Sequence, residues 1–174
     1  CELWQNHVSE GCFPDCDMLP LGWLGKGFHT DQSTWYTNLT KDEQRTMMTL
    51  WCIFRSPLMI GTELTRLDDW TLSLLTNADV LRLIQHSKGA RQLERDNNHV
   101  VCFSPDTEEA ADYVALFNLL DKEADLCADL SEEGITAQLS VRELWDNGSA
   151  TLKNGKIYTT VPAHGAKLFK LYIK

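Results

Sequence analysis

The sequence lacks an excess of positive charge. Its 174 residues contain 16 lysines and arginines against 25 aspartates and glutamates, which gives a net charge of −9. Both halves are acidic, so neither offers a basic stripe for the phosphates of nucleic acid or for an anionic membrane surface. No apolar run approaches the roughly 20 residues of a membrane-spanning helix. We therefore expect neither nucleic acid nor a membrane as a partner.

Regularly spaced cysteine pairs are also lacking. Cys12 and Cys16 form a C-x3-C pair, but no second pair of cysteines or histidines follows at a zinc-binding spacing. We expect no metal and no cofactor, and we expect buried thiols at Cys52 and Cys102, which lie within apolar runs. The chain begins at Cys1 without an initiator methionine or an apolar leader, so we expect a segment of a longer protein.

Two aspartates stand two positions apart at the edge of an apolar run. Asp15 and Asp17 lie within FPDCDMLPLG at residues 13–22. In an extended chain, residues i and i+2 point to the same side, roughly 6.5 Å apart. Two such carboxylates can bind the hydroxyls of a sugar, or act as an acid and a nucleophile in its hydrolysis. The alternative interpretation is a solvent-exposed loop containing an Asx-turn.

A capping box begins the first predicted helix. Thr40 and Glu43 have the spacing of an N-cap and its third helical residue. Apolar residues then recur at helical spacing, which predicts a helix over residues 41–54. Because Trp51 lies on the apolar face of this helix, we expect it to be a core residue.

A short apolar run follows this helix. Residues 58–60 are apolar at every position, which is typical of a strand that is covered on both faces in a parallel sheet. Asp68 or Asp69 is expected to cap a second helix that Asn77 ends, and residues 79–85 predict a third helical piece. Helix, buried strand and helix together are typical of an α/β layer structure.

The pattern changes near residues 86–91, after which short β-forming segments alternate with turns. Turns are predicted at residues 96–98, 146–148, 153–155 and 163–165. The predicted strands lie at residues 91–95, 99–103, 112–119, 136–145, 157–161 and 166–173. Six to eight short strands with frequent turns predict an antiparallel sandwich or barrel.

Several motifs along the chain resemble one known family. They are FPDCDM at 13–18 for the family's WNDPDM, LW at 50–51 and RSPLMIGTEL at 55–64 for LW…APLLIGNDL, LLTNADV at 74–80 for LLTNxEV, VRELW at 141–145 for VRDLW, and VPAHG at 161–165 for VPPHG. The family is glycoside hydrolase family 27, the α-galactosidases and α-N-acetylgalactosaminidases. The motifs are collinear with the family and cover essentially the whole chain.

The resemblance implies a chain that is α/β in its first part and all-β in its second. Residues 1–88 are expected to be the C-terminal remnant of a TIM (β/α)8 barrel, and residues 89–174 an antiparallel β-sandwich domain. Members of the family act on terminal α-galactosides by double displacement with retention of configuration. Their nucleophile and their acid/base both precede the DPDM sequence. We therefore expect no catalytic residue in this segment, and no activity from it alone.

Four residues are candidates for substrate binding, three of them through the resemblance and Trp23 through its own surroundings. Asp17 and Met18 match the family's pocket-lining Asp-Met pair, at the rim where TIM-barrel chemistry takes place. Asp17 is expected to fix sugar hydroxyls or an adjacent arginine, and Met18 to pack against the apolar patch of the sugar. Asp15 is expected to brace the loop. Trp23, together with Phe28, is a candidate stacking wall, with packing onto a neighbouring loop as the alternative.

Two functional interpretations stay open. The first is the C-terminal part of an α-galactosidase-like hydrolase, and the second is a carbohydrate-binding or structural β-sandwich module with a non-catalytic barrel remnant. A weaker third is an unrelated α/β enzyme that uses Asp15 and Asp17 directly. The resemblance does not separate galactose, N-acetylgalactosamine and arabinopyranose as the sugar, and a periplasmic or secreted location would suit an enzyme that acts on such substrates.

The expected partners are a carbohydrate and further polypeptide. A strand at residues 58–60 needs parallel neighbours on both sides, because an open sheet edge invites association. We expect the missing N-terminal part of the barrel, a second copy of the chain or the β domain to cover the exposed apolar surface of the first half.

Overall fold

The computed structural model describes residues 3–25, 34–135, 139–148 and 150–172. In the first half, three short strands precede a helix, and a fourth strand precedes two more helices: β1 (Met18–Leu19), β2 (Trp23–Leu24), β3 (Trp35–Tyr36), α1 (Lys41–Phe54), β4 (Met59–Ile60), α2 (Asp69–Leu75) and α3 (Ala78–His86). Within these described ranges, no helix combines the length and the apolar character needed to cross a bilayer.

The capping box at the start of α1 is confirmed. The Thr40 hydroxyl accepts a hydrogen bond from the Glu43 amide at 3.2 Å, and the Glu43 carboxylate accepts one from the Thr40 amide at 2.7 Å. The helix covers the predicted residues and ends at Phe54, because Arg55 has the left-handed backbone conformation at φ 61°. Local sequence signals therefore determine both ends of α1.

Asn77 begins a helix rather than ending one. Asp68 caps α2 as predicted, since its Oδ1 accepts a hydrogen bond from the Thr71 amide at 2.7 Å. The prediction that Asn77 closes this helix is wrong, because its Oδ1 accepts the Val80 amide at 3.2 Å and so caps α3. Asparagine is favoured both at the start and at the end of helices. Here α3 begins directly after Asn77, so the residue acts as an N-cap.

The apolar run after α1 forms half of a parallel pair. β4 pairs with β1, with Met18 opposite Met59 and Leu19 opposite Ile60. The predicted parallel strand is confirmed, but its burial on both faces is not, since Met59 is 54% and Ile60 44% exposed. Among the described residues, β1 and β4 have only each other as strand partners, so the outer edges of the pair are open.

Eight strands form two antiparallel sheets in the described part of the second half, which confirms the predicted β-sandwich. They are β5 (Arg91–Arg95), β6 (His99–Pro105), β7 (Ala111–Asn118), β8 (Ala124–Asp129), β9 (Ser140–Glu143), β10 (Thr151–Lys153), β11 (Lys156–Val161) and β12 (Ala166–Tyr172). One sheet has the order β5-β6-β7-β12-β9, and the other β10-β11-β8. β8 and β10 were not predicted. Residues 136–138 and 173 of two predicted strands lie outside the described residues.

The hairpin between β10 and β11 turns on two residues. Asn154 and Gly155 have φ angles of 51° and 75°, the positive values that a tight two-residue hairpin turn requires. A Cβ atom on Gly155 would lie 2.7 Å from the carbonyl oxygen of Ile135, so a larger residue would clash with backbone. The turn predicted at residues 153–155 is therefore confirmed.

The five-stranded sheet is buried on both faces. Its first face packs against the three-stranded sheet in a core that includes Val101, Phe103, Val114, Leu116, Leu126, Ile157, Phe169 and Leu171. Its second face packs against α1 and α3 in a core that includes Met48, Cys52, Val80, Leu83, Cys102, Tyr113, Ala115 and Leu168. The second core crosses the predicted domain boundary near residue 88. The first half of the chain is therefore docked on the sandwich.

The cysteines predicted to be buried lie in this second core. Cys52 and Cys102 are both buried. None of the cysteines in the described residues forms a disulfide bond. Burial raises the pKa of Cys102 to about 12 and that of Cys52 further, because an apolar environment disfavours the thiolate. Both side chains therefore pack as small apolar groups.

A buried carboxylate joins α3 to the turn between β6 and β7. The Asp106 side chain is fully buried and accepts hydrogen bonds from Arg82 Nε at 3.0 Å, from the Tyr113 hydroxyl at 3.0 Å, and from the amides of Glu108 and Glu109 at 2.8 and 2.9 Å. Burial by itself would raise the pKa of Asp106, but these donors outweigh it and lower the pKa to about 2.

Candidate functional site

An open cleft of about 840 Å³ lies beside the exposed strand pair. Residues 16–18 and 60–64 form one side of it, at the ends of β1 and β4. Met47 and Trp51 contribute from α1, and Trp35 from β3. The cleft combines apolar walls with the carboxylates of Asp17 and Glu63. Apolar walls with a few fixed polar groups are typical of a small-molecule site.

Asp17 lies at the rim of this cleft in an unusual backbone conformation. Its φ of 69° is left-handed, a region that aspartate tolerates better than most side chains. Its amide donates to Oδ1 of Asp15 at 2.9 Å, and its carbonyl oxygen accepts the indole N–H of Trp51 at 3.0 Å. One oxygen of its own carboxylate accepts the Met18 amide at 2.6 Å. Hydrogen bonds therefore hold the Asp17 backbone from two directions.

This geometry differs from the extended chain on which the i, i+2 spacing of the aspartates was interpreted. The positive φ of Asp17 bends the chain, and the carboxylate of Asp15 is bonded to the Asp17 amide. Asp15 is not among the residues that line the cleft in the described part of the chain. Its observed contact braces the loop, and any contact with a sugar stays a prediction.

Met18 belongs to an apolar wall of the cleft. Its side chain is half exposed, and Met47, Ile60 and Leu64 line the same space. Thioether and aliphatic groups can pack against the C–H face of a pyranose ring while a neighbouring carboxylate binds its hydroxyls. Asp17 and Met18 therefore bring two complementary kinds of contact to one rim.

Trp23 packs against neighbouring side chains, which fits the packing alternative, and its stacking on a sugar stays a prediction. Its ring meets that of Tyr36 edge-on at 5.7 Å, and the guanidinium of Arg66 lies 3.9 Å above it. It does not line the cleft, whereas Trp35, on the partner strand of the same hairpin, does. Phe28, the other proposed stacking residue, lies outside the described residues.

Glu63 is a cleft carboxylate that the sequence analysis missed. Its Oε1 accepts hydrogen bonds from the hydroxyl and the amide of Thr65 at 2.7 and 3.1 Å, which lower the pKa of Glu63. Its backbone amide donates to the carbonyl oxygen of Trp23 at 2.7 Å and so joins the strand segments. Its position in the matched motif at residues 55–64 is the signal that could have identified it.

Buried hydrogen bonds fix the segments that form the cleft. Gln44 of α1 accepts the Gly22 amide at 2.9 Å, and the Thr62 hydroxyl donates to the carbonyl oxygen of Leu21 at 2.7 Å. Gly22 has φ 62°, and a Cβ atom there would lie 2.5 Å from Oγ1 of Thr71. The close contact of this loop with α2 therefore depends on glycine.

Trp51 is both a packing residue and a cleft residue. A core position was predicted for it, but the side chain is half-buried, packs against the core with part of its surface and lines the cleft with the rest. Helical periodicity identified its face of α1 correctly. It could not indicate that this face meets an open cleft, because that depends on the position of β1.

Known proteins with a similar sequence or structure are carbohydrate-active enzymes. Residues 96–171 match the family described as the alpha galactosidase C-terminal beta sandwich domain. A family-27 β-L-arabinopyranosidase from Geobacillus stearothermophilus, solved in complex with arabinose, is 43% identical with a TM-score of 0.90 over 100% of this chain and 40% of its own. A proposed α-N-acetylgalactosaminidase from Bacillus halodurans is 37% identical with a TM-score of 0.90 over 100% of this chain and 42% of its own.

Curated sequences give the same result at lower identity. The α-galactosidase of Cyamopsis tetragonoloba is 26% identical over 169 residues, which cover 95% of this chain and 38% of that enzyme. The chain therefore spans about two fifths of the length of these relatives.

Proposed function

Because the chain belongs to glycoside hydrolase family 27, we propose that it forms the C-terminal part of an exo-acting, retaining hydrolase of the α-galactosidase type. The observation that carries the proposal is the Asp17-Met18 pair at the rim of the open cleft. A carboxylate beside an apolar wall matches the two kinds of surface that a pyranose presents, its hydroxyl groups and its C–H face.

In this proposal Asp17 binds the sugar and does not attack it. An ionised carboxylate accepts hydrogen bonds from hydroxyl groups, and such charge-assisted bonds are about twice as strong as neutral ones. Met18 packs against the C–H face of the ring, and Trp35 and Trp51 are available as aromatic walls. These contacts orient a terminal sugar at the cleft.

The first half of the chain completes a TIM barrel in this proposal, with residues 1–88 as the end of the barrel and residues 89–174 as the sandwich domain. The segment β1–α1–β4 supports this assignment, because it is a parallel strand pair joined by a helix, which is the repeating unit of such barrels. The apolar side chain of Met59, which is 54% exposed and does not line the cleft, and the open edges of the strand pair give it further support. Additional parallel strands would cover them.

The nucleophile and the acid/base reside on barrel segments other than this chain in the proposal. A retaining mechanism needs two carboxyl groups about 5–5.5 Å apart on either side of the scissile bond. Of the described carboxylates near the cleft, Asp15 accepts the Asp17 amide and Glu63 accepts hydrogen bonds from Thr65, while Asp17 accepts the Met18 amide with one oxygen and has the sugar-binding role in this proposal. The isolated chain is therefore expected to be inactive.

The proposed substrates are terminal α-D-galactosides, with β-L-arabinopyranosides as a second candidate. The two sugars share a ring configuration and differ by the hydroxymethyl group on the fifth carbon. The solved relative with 43% identity is named as a β-L-arabinopyranosidase. That name is the specific observation in favour of the second sugar.

The test is hydrolysis by the full-length protein of nitrophenyl α-D-galactopyranoside, α-N-acetylgalactosaminide and β-L-arabinopyranoside. Asp17→Asn preserves size but removes the charge, and we expect it to lower kcat/KM about hundredfold on the preferred substrate. Asp121→Asn is the matched control, since the Asp121 side chain is fully exposed, and it should change kcat/KM less than twofold.

Two results would contradict the proposal. One is a wild-type protein that binds these sugars without hydrolysing any of them, as a carbohydrate-binding module would. The other is an Asp17→Asn variant as active as the Asp121→Asn control.

A further inference from the structure

We propose that Trp51 is a positioning residue whose indole N–H holds Asp17 in the conformation that presents the Asp17-Met18 pair to the cleft. This role rests on the proposed function, because it assumes that Asp17 and Met18 contact the sugar. Trp51 itself is not required to touch the substrate for this role.

The backbone of Asp17 needs external restraint. A residue other than glycine at φ 69° is strained, and such a residue persists only where its surroundings over-determine it. Here the Asp17 carbonyl oxygen accepts Nε1 of Trp51 at 3.0 Å, and the Asp17 amide donates to Asp15 at 2.9 Å. The Cys16 amide, one residue earlier, donates to the Ser56 hydroxyl at 3.0 Å. The indole is the restraint on the carbonyl side.

The helix that carries Trp51 is itself fixed to the sandwich. The Thr46 hydroxyl of α1 donates to the carbonyl oxygen of His164, in the turn before β12, at 2.7 Å. Met48 and Cys52 of the same helix are buried in the core beneath the five-stranded sheet. The indole N–H is therefore a donor of fixed position, and the sandwich supports the cleft through α1.

The chemistry of the contact requires tryptophan rather than any large aromatic residue. Indole carries one N–H donor and no acceptor, so it can bond a carbonyl oxygen in a single way. Phenylalanine could fill much of the same space against the core and would lose only the donor. The ring of Trp51 thus has the packing role, and its N–H group has the positioning role.

The test compares two tryptophan-to-phenylalanine variants in the full-length protein. One tryptophan lies on α1 and the other contacts α1 from the sandwich. Trp51→Phe is expected to raise KM about tenfold for the preferred nitrophenyl glycoside with kcat within threefold, because uniform binding is lost. Trp145→Phe removes the indole bond to Thr49 on the opposite side of α1. It should lower the thermal midpoint to a similar extent and leave KM within twofold.

Two further measurements complete the test, and the first of them does not depend on whether Trp51→Phe folds. Asp15→Ala changes an exposed side chain and removes the restraint on the Asp17 amide, so it should also raise KM several-fold. A crystal structure of Trp51→Phe should show Asp17 displaced from its φ near 69°.

The outcomes separate this role from the proposed function. An active wild type that loses activity on Asp17→Asn, but whose Trp51→Phe and Trp145→Phe variants have the same KM, would overturn only the role of Trp51. Unchanged KM in Asp15→Ala, or an unmoved Asp17 in the Trp51→Phe structure, would overturn it as well. A wild type without glycosidase activity would overturn the proposed function and this role together.

Discussion

Two strand systems of this chain have similar apolar sequences and opposite degrees of burial. β7 is buried along almost its whole length, between the three-stranded sheet on one face and α1 and α3 on the other. β4 is as apolar as β7 but has a single strand partner, and both of its residues are about half exposed. The apolar sequence of a strand thus predicts that its side chains are buried in the complete fold. How far they are buried in this chain depends on the elements that pack against the strand.

The difference has a functional side. The sandwich is closed on both faces of its central sheet, whereas the open β1–β4 edge lies next to the cleft that contains Asp17 and Met18. The exposed apolar side chains of the β1–β4 pair therefore lie beside the proposed sugar site. In the proposal, further barrel segments would pack there. Stability measurements at matched positions in the two regions test this difference in burial.

The largest expected difference lies between Leu116→Ala in β7 and Met59→Ala in β4. Leu116 is fully buried between the two sheets, so its truncation should lower the free energy of unfolding by about 4 kcal/mol. Met59→Ala, at the open edge, should change it by about 0.5 kcal/mol or less in this chain. Urea-induced unfolding measures both.

The same two variants, Leu116→Ala and Met59→Ala, can also be measured in the full-length protein. There Met59→Ala should cost about 2 kcal/mol or more, because added parallel strands bury the side chain. Equal, small costs in both forms would contradict the proposal that other barrel segments cover β4.

A smaller effect is expected where polar contacts dock the first half on the sandwich. Asp106→Asn weakens the buried link to Arg82 of α3 and should lower the free energy of unfolding by about 2 kcal/mol at pH 7. The pKa of Asp106 is about 2 against an ordinary value of 3.8, so the charge contributes its stability above about pH 4. The contribution is lost as the pH falls from about 4 through 2.

This pH dependence distinguishes the charge of Asp106 from its packing. The difference between wild type and Asp106→Asn, followed by urea unfolding, should be constant from pH 5 to 7 and shrink below pH 4. A difference that is independent of pH down to 2.5 would show that the carboxylate charge is not what joins α3 to the sandwich.

Local signals predicted the elements that depend on neighbouring residues alone. The capping box of α1 and the Asn154-Gly155 hairpin were found because their geometry is encoded within a few positions. β8 was missed because its sequence, ADLCAD, contains none of the β-branched or aromatic residues that favour strands. Hydrogen bonding to β11 holds this segment as a strand although its own sequence does not favour one.

The candidate site was predicted only as far as its motif extends. Asp17 and Met18 were found by resemblance, and they line the cleft. Trp23 and Trp35 lie on paired strands, and the cation of Arg66 over Trp23 is a tertiary contact that no local pattern indicates. The contact between Trp51 and Asp17 joins residues 34 positions apart, which periodicity on α1 could not anticipate.

The most direct test of the account is a crystal structure of the full-length protein with its preferred monosaccharide bound. The account predicts a sugar in the cleft, with a carboxylate oxygen of Asp17 at a hydrogen-bond distance of about 2.6–3.0 Å from a ring hydroxyl and Met18 against the C–H face. It also predicts that the nucleophile and the acid/base come from outside these 174 residues. A sugar bound away from Asp17, or one flanked by two catalytic carboxylates of this chain, would contradict it.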